Sequence, residues 1–378
     1  MTSDNEILEN IKAVSSDTPD PKRAETNLVR FFETVTEREK FLPYLQEAAR
    51  LFAFSQFLAN YCVSHPEEFY RALKNIKEPV SKKELSEKAA ALEFNDSADI
   101  AGTMTKIRLF KKPYLLKITL RDIMGETDIL ASMDELTCLA EVVIDIALKC
   151  SIKMNALKYG DPSDREFSLI AFGKLGGEEI NYSSDVDLMA VYEEGDGNTS
   201  GVLSPSGVCL NKITDSEFYA KVMELFNRIL SWNTEDGIAY RVDLRLRPQG
   251  AKGDIAMPLQ SYRMYYETWG TTWERMALIR ARPVAGSAKL GRQFMEAIEP
   301  YIWKKTMDFS EIEEIRALKK KIDSAFSRED IKRGYGGIRE AEFFFQTFQL
   351  IYGHEHKGLR THRLLNAIQS LRWLRMIP

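Results

Sequence analysis

Apolar residues recur along this chain with two different periods. Phe41, Leu42, Leu45, Ala48, Ala49, Leu51 and Phe52 return every three to four positions, which places them on one face of a helix. Pro66 followed by Glu67 and Glu68 suits a helix start, where proline's missing amide costs nothing. A long helix is predicted over 133–157, with Leu136, Leu139, Val142, Val143, Ile146 and Leu148 toward a core. At about residue 164 the pattern changes. Residues 167–172 and 187–192 are short apolar runs that read as buried strands. Thr214-Asp215-Ser216-Glu217 has the form of a capping box, and the helix it opens carries Phe218, Val222, Leu225, Phe226, Ile229 and Leu230 on one face. Residues 237–247 alternate strictly, with Ile238, Tyr240, Val242, Leu244 and Leu246 on one side and Ala239, Arg241, Asp243, Arg245 and Arg247 on the other, so a strand ending at Pro248 is predicted. From about residue 290 helical spacing returns, with Ile312, Ile315, Leu318 and Ile322 in one helix and 343–351 in another. A glycine turn, Gly334-Tyr335-Gly336-Gly337, separates them.

The predicted class is therefore α+β, with a small mixed sheet flanked by helical regions. The boundaries are a polar arm over 1–23 holding Pro19 and Pro21, a helical region over 24–160, a catalytic domain over 161–290 and a second helical region over 291–378. A chain of 378 residues is too long for one core, and 44% hydrophobic with 29% charged residues describes a folded protein. A net charge of −4 argues against a general nucleic-acid binder. Residues 106–121 are locally basic through Lys106, Arg108, Lys111, Lys112, Lys117 and Arg121. They read as a solvated helix face, and otherwise as a surface for an acidic partner or a phosphate. Cys62, Cys138, Cys150 and Cys209 form no C-x-x-C pair, which suggests buried thiols in a reducing compartment. No basic leader follows Met1, and no apolar run is long enough for a bilayer, so a cytoplasmic location without membrane contact is expected.

The chemistry centres on Ser183-Ser184-Asp185-Val186-Asp187-Leu188. Residues two apart on a strand share a face, so Asp185 and Asp187 project together and repel unless a cation lies between them. Magnesium suits such a pair, since it takes one or two carboxylates with water and phosphate oxygens. Asp243 lies on the polar face of its strand. Should that strand pair with the first, three carboxylates converge, enough to hold two ions for a displacement at phosphorus. Arg245 and Arg247 would then grip phosphate oxygens. Gly173-Lys174-Leu175-Gly176-Gly177 lets backbone amides approach a phosphate, and Lys174 adds charge there. The run lacks the G-K-[ST] ending of a P-loop. Ser184 flanks the carboxylates, but no histidine partner supports serine catalysis. His354, His356 and His362 read as solvated histidines rather than a zinc site, and Trp269, Trp273 and Trp303 as core rather than a stacking platform.

Taken in order, these segments resemble bacterial glutamine synthetase adenylyltransferases. The likeness lies in Gly173 to Gly177, Asn181 to Leu188 and Tyr240 to Pro248. It continues in Trp273-Glu274-Arg275, Ala281-Arg282-Pro283 and Gly336-Gly337-Ile338-Arg339-Glu340, and spans most of the chain from about residue 40. The resemblance implies a nucleotidyltransferase fold of the DNA polymerase beta type. It implies Asp185, Asp187 and Asp243 as catalytic and metal-binding residues, and Gly173, Lys174, Ser184, Arg245 and Arg247 around the nucleotide. It further implies two Mg2+ ions, ADP or ATP with phosphate as substrate or product, and glutamine synthetase and the PII signal protein as partners. That family's enzyme holds two related halves, one removing AMP from a tyrosine of glutamine synthetase by phosphorolysis and one attaching it from ATP. The start at Met1 and the Arg339-Glu340 pair point to the removing half, with Ala341 a small departure where a larger aliphatic is common. The stop at Pro378 suggests a chain truncated before the attaching half. Two alternatives stand beside deadenylylation: ATP-dependent adenylylation or another nucleotidyl transfer, and a non-catalytic docking module for PII or glutamine synthetase.

Overall fold

The computed structural model describes residues 4–92, 94, 99–194, 197–306, 308–324, 330–332, 334 and 336–378. Contacts divide the chain into two compact units, one of residues 1–93 with 105–143 and the other of 94–104 with 144–378. The division falls inside the long helices Ile100–Met124 and Ile129–Tyr159 rather than at residue 160.

The first unit is helical. Its core gathers Phe31, Phe41, Phe52 and Phe69, with Leu116 and Leu120 beside them. The expected polar arm is instead ordered: Asp4–Ser16 and Pro21–Thr34 are helices, and Ile11 is only 1% exposed. Ile7, Ile11 and Val14 supply an apolar face at helical spacing, and Asp20 caps the second helix at the Arg23 amide. The helix predicted around 41–52 begins with two short 3-10 turns before Leu45–Phe54, and Pro66 opens Pro66–Lys74 as expected. The basic stretch 106–121 is no solvated face. Arg108 is 1% exposed, and buried Arg121 pairs with Glu135 at 3.2 Å. A buried guanidinium persists only when paired, and Glu135 with the Ile76 carbonyl meets that need.

The second unit carries the sheet. Its strands, with a short separate hairpin, are β1 Phe167–Ala171, β2 Val186–Tyr192, β3 Val202–Leu203, β4 Cys209–Leu210, β5 Val242–Asp243, β6 Ala256–Pro258 and β7 Arg282–Gly286. Among the described residues the main sheet runs β5-β2-β1-β7, and β6 also pairs with β2. β1 is antiparallel to β2 and β7, while β5 and β6 run parallel to β2, so the sheet is mixed. β1 is buried along its whole length and β2 at every position but Asp187, which accounts for sequences that are apolar except at Ser168 and Asp187. Behind them pack Tyr262, Tyr266, Phe294 and Ile298. The Thr214–Glu217 capping box forms and starts the helix Asp215–Ser231. Of the four thiols, Cys62 and Cys150 are buried as expected, whereas Cys209 is exposed on the hairpin.

The long strand predicted over 237–247 shrinks to Val242–Asp243. Two competing sets of hydrogen bonds explain this. Ala239 and Tyr240 give their amides to the Leu230 carbonyl at the end of the preceding helix. Beyond Asp243, Arg247 bonds the carbonyls of Leu244, Ala251 and Gly253, and Gln249 takes a left-handed conformation at φ 60°, which turns the chain away. Alternation in sequence satisfies the strand pattern, but the polar positions are committed elsewhere. Of the later helices, Phe309–Ser324 and Ile338–Tyr352 form. Tyr335 and Gly195, in predicted turns, lie outside the described residues, as do the side chains of Leu318 and Ile322.

Candidate active site

The short pairing of β5 with β2 is what positions the carboxylates. Asp187 and Asp243 are register partners across two parallel strands, and Val186 pairs with Val242. Asp185 sits two residues before Asp187, and all three line one cleft of about 890 Å³ within the second unit. Burial pushes the Asp187 carboxyl up to about 6, helped by the charges of Asp243 and then Asp185. Its neighbours are screened differently. Asp185 is held by Arg241, whose guanidinium also donates to the Ser183 carbonyl at 2.8 Å. Asp243 takes a fork of hydrogen bonds from Arg245, at 3.0, 3.1 and 2.5 Å, and its carboxyl is held below its ordinary value mainly by them.

With both outer carboxylates turned to arginines, no three potential ligands among the described residues converge closely enough to enclose a metal ion. The donor set still suits a hard divalent cation in kind. It consists of oxygen ligands, and the central one carries a charge its surroundings resist.

Gly173 and Gly176 bound the one-turn helix Gly173–Gly176 at the end of β1. Gly173 has φ +54°, and a Cβ there would strike the Asp187 carboxylate. Gly176 lies against the Arg280 carbonyl, with no room for a side chain. The bareness of Gly173 thus admits a carboxylate, where sequence reasoning expects it to admit a phosphate. Lys174 lines the cleft, and burial together with the Lys332 and Arg280 charges lowers its pKa. Ser184 also lines it, held in a local turn by Asn181 at 2.7 and 3.0 Å. Arg245 reaches the cleft. Arg247 does not, since its buried guanidinium serves the three loop carbonyls.

A buried ionic network braces the glycine turn. Arg280 pairs with Glu179 at 2.5 Å and Glu342 at 3.6 Å, and bonds the Gly173 carbonyl at 3.3 Å. Glu178, in a left-handed conformation, receives His362 at 3.1 Å and Arg363 at 2.7 Å. His354 meets the Trp303 carbonyl instead, so these histidines serve separate structural contacts. Trp269 and Trp273 are not core residues. They are 73% and 41% exposed, and Trp273 lines the cleft with Met276 and Phe343. The pair Arg339-Glu340 divides in role. Glu340 pins the turn through the Gly336 amide at 2.6 Å, while Arg339 faces the cleft.

Sequence reasoning does not single out Arg280 or Lys332 as site residues, and it places Arg241 only on a polar face. For Arg241 that placement beside Asp243 is a usable signal. For Lys332 there is none, because its loop reaches the site through tertiary folding alone.

Residues 45–297 match the family described as glutamate-ammonia ligase adenylyltransferase. This chain belongs to that family. Residues 310–376 match a second description, GlnD PII-uridylyltransferase. Among curated proteins, it is 31% identical over 374 residues to a bifunctional glutamine synthetase adenylyltransferase/adenylyl-removing enzyme of Thioalkalivibrio sulfidiphilus. That match covers 95% of this chain and 38% of the relative. Enzymes of the same name from Xanthomonas campestris and Hahella chejuensis are 34% and 31% identical. They cover 73% and 89% of this chain, against 30% and 35% of their own lengths. The matches thus span 30–38% of the lengths of these relatives. No helix among the described residues is long and apolar enough to cross a membrane.

Proposed function

We propose that this chain removes AMP from an adenylylated tyrosine of glutamine synthetase, using inorganic phosphate and releasing ADP, on a nucleotidyltransferase fold. The observation that carries the reading is the register pairing of Asp187 with Asp243, with Asp185 on the same cleft, facing cationic side chains. Carboxylates set side by side at the mouth of a cationic cleft suit transfer of a phosphoryl group, where positioning and charge do most of the work. Asp185, Asp187 and Asp243 would hold magnesium, which when bound supplies positive charge to phosphoryl oxygens. The chain's own groups do the rest. Arg245 and Arg241, already on two of the carboxylates, lie where they can turn to phosphate oxygens. Lys174 adds a charge on the same cleft. Trp273, Met276 and Phe343 offer an apolar wall for the adenosine. No strong base is required, because phosphate is already an anion. The departing phenol, of pKa about 10, needs mainly charge stabilisation.

The direction of transfer rests on the Gly336 to Glu340 segment, which resembles the removing half. A second reading is attachment of AMP from ATP, favoured by the names of the relatives, which carry both activities. Glutamine synthetase as substrate and PII as regulator follow the same resemblance. Incubation with adenylylated glutamine synthetase, magnesium and phosphate should yield ADP. Absence of ADP together with pyrophosphate release from ATP would favour the second reading. Turnover in neither assay would leave a docking role.

A further inference from the structure

The loop between the last two long helices belongs to the Gly-Gly-Ile-Arg-Glu motif, and the mechanism above leaves it unused. Its described residues, 330–332, 334, 336 and 337, are joined by hydrogen bonds. Gly334 N donates to Asp330 O at 2.6 Å and Gly337 N to Gly334 O at 2.9 Å. Ile338 N donates to Ile331 O at 3.1 Å and Arg339 N to Lys332 O at 2.9 Å, so Lys332 and Arg339 are held side by side. The Lys332 amide is fixed by the Asp330 carboxylate at 3.0 Å, and Glu340 clasps Gly336, whose φ of +75° favours glycine. Both cations then line the cleft that holds the three aspartates.

Their electrostatic state separates them from the other basic residues there. Arg241, Arg245 and Arg280 each have a carboxylate partner. Among the described residues, Lys174, Lys332 and Arg339 form no ion pair. Lys332 is near enough to Lys174 and to Asp187 for its charge to act downward on the pKa of both. Three positive charges without an ion-pair partner on one cleft repel one another, and a multivalent anion relieves that repulsion.

We propose that Lys332 and Arg339, together with Lys174, form the binding site for an orthophosphate dianion. This rests on the phosphorolytic reading above and assigns its nucleophile. The bridging adenylyl group carries a single negative charge and belongs beside the carboxylates, whereas the free dianion requires the unpaired cations. In the reaction one phosphate oxygen forms a bond to the adenylyl phosphorus as the bond from that phosphorus to the tyrosyl oxygen breaks. The electron pair leaves with the phenolate, the proton of the hydrogen phosphate passes to it, and ADP and tyrosine result with charge conserved. The same dianion chemistry occurs in the terminal phosphoryl group of a nucleoside triphosphate, and the test separates the two sources.

Inorganic phosphate is titrated into the whole chain and followed by phosphorus NMR line broadening, with a non-hydrolysable ATP analogue in a parallel titration. Lys332→Gln and Arg339→Gln should each weaken phosphate binding about tenfold, the loss of one charge-assisted contact. Arg339→Lys should recover part of it, and circular dichroism should show all variants folded. Where adenylylated substrate is turned over, the KM for phosphate should rise by the same factor while kcat changes much less. Equal phosphate binding by wild type and both glutamine variants overturns the assignment, as does a wild type that binds no phosphate. Loss confined to the ATP analogue overturns it in favour of a triphosphate site. A wild type that binds phosphate through these residues yet yields no ADP refutes the reaction and leaves the site standing.

Discussion

Replacing Asp187 with asparagine should make the metal-free protein more stable while abolishing its activity. The Asp187 carboxyl is raised from an ordinary value of 3.8 to about 6, first by burial and then by Asp243 and Asp185. At about 1.4 kcal/mol per pH unit, ionising this group in the folded state costs up to about 3 kcal/mol. Asp187 is only partly buried, so screening brings the figure to about 1.5 kcal/mol. Because the folded protein binds this proton more tightly than the unfolded chain, the favourable contribution is complete below pH 3.8. It is lost as pH rises through about 6 and stays lost above. The neutral amide of the variant carries no charge at any of these pH values and escapes this loss. Melting curves in EDTA between pH 4 and 8 should therefore show Asp187→Asn melting about 3–6 °C above wild type at pH 8, at about 2–4 °C per kcal/mol for a domain of this size. The gap should close near pH 4. Magnesium should raise the wild-type melting temperature and leave the variant unmoved. A variant that is less stable than wild type at pH 8, or that differs from it by the same amount at every pH, would refute the electrostatic reasoning.

Three further outcomes follow from neighbouring residues. Gly173→Ala should abolish turnover, because the new Cβ meets the Asp187 carboxylate and the φ of +54° costs about 1–2 kcal/mol for an alanine; a steady-state assay beside a thermal melt will separate the two effects. Arg247→Ala should cost about 2–3 kcal/mol in urea unfolding and Arg247→Lys nearly as much, since a lysine cannot serve the carbonyls of Leu244, Ala251 and Gly253 together. Burial pushes Glu178 up, but the hydrogen bonds from His362 and Arg363 and the charge of Arg282 outweigh it and hold the carboxyl down at about 2. Its contribution is full above pH 4.5 and disappears as pH falls through about 2. Glu178→Gln should thus lose about 1–3 kcal/mol at neutral pH, discounted for partial exposure, and lose progressively less in acid titrations.

What the sequence made legible was set by local forces, and what it hid was set by distant ones. Phe167 to Ala171 and Val186 to Tyr192 could be read as strands because burial on both faces leaves a single polar position in each, Ser168 and Asp187. The capping box at Thr214 and Glu217 could be read because both partners lie within one turn. The segment 237–247 misled because alternation describes which side chains could face a core, while the hydrogen bonds that decide its path come from Leu230 and Arg247. Arg247 itself misled for the same reason, looking like a phosphate ligand by its spacing from Asp243 while its guanidinium was committed to a loop. Residues 4–16 looked like a loose arm on composition, although Ile7 and Ile11 carried the helical spacing that buries them. The aspartates stood out early because two carboxylates two residues apart on a strand are costly without a compensating charge, and that cost is visible in sequence alone. The compensating charges were not, because they arrive from three places in the fold: Arg241 and Arg245 from the interrupted strand, Lys174 from the glycine turn, and Lys332 with Arg339 from a loop and the helix start after it, about 150 residues further along the chain. The carboxylates are therefore a local property of this sequence, whereas the anion site facing them exists only once the second unit has folded.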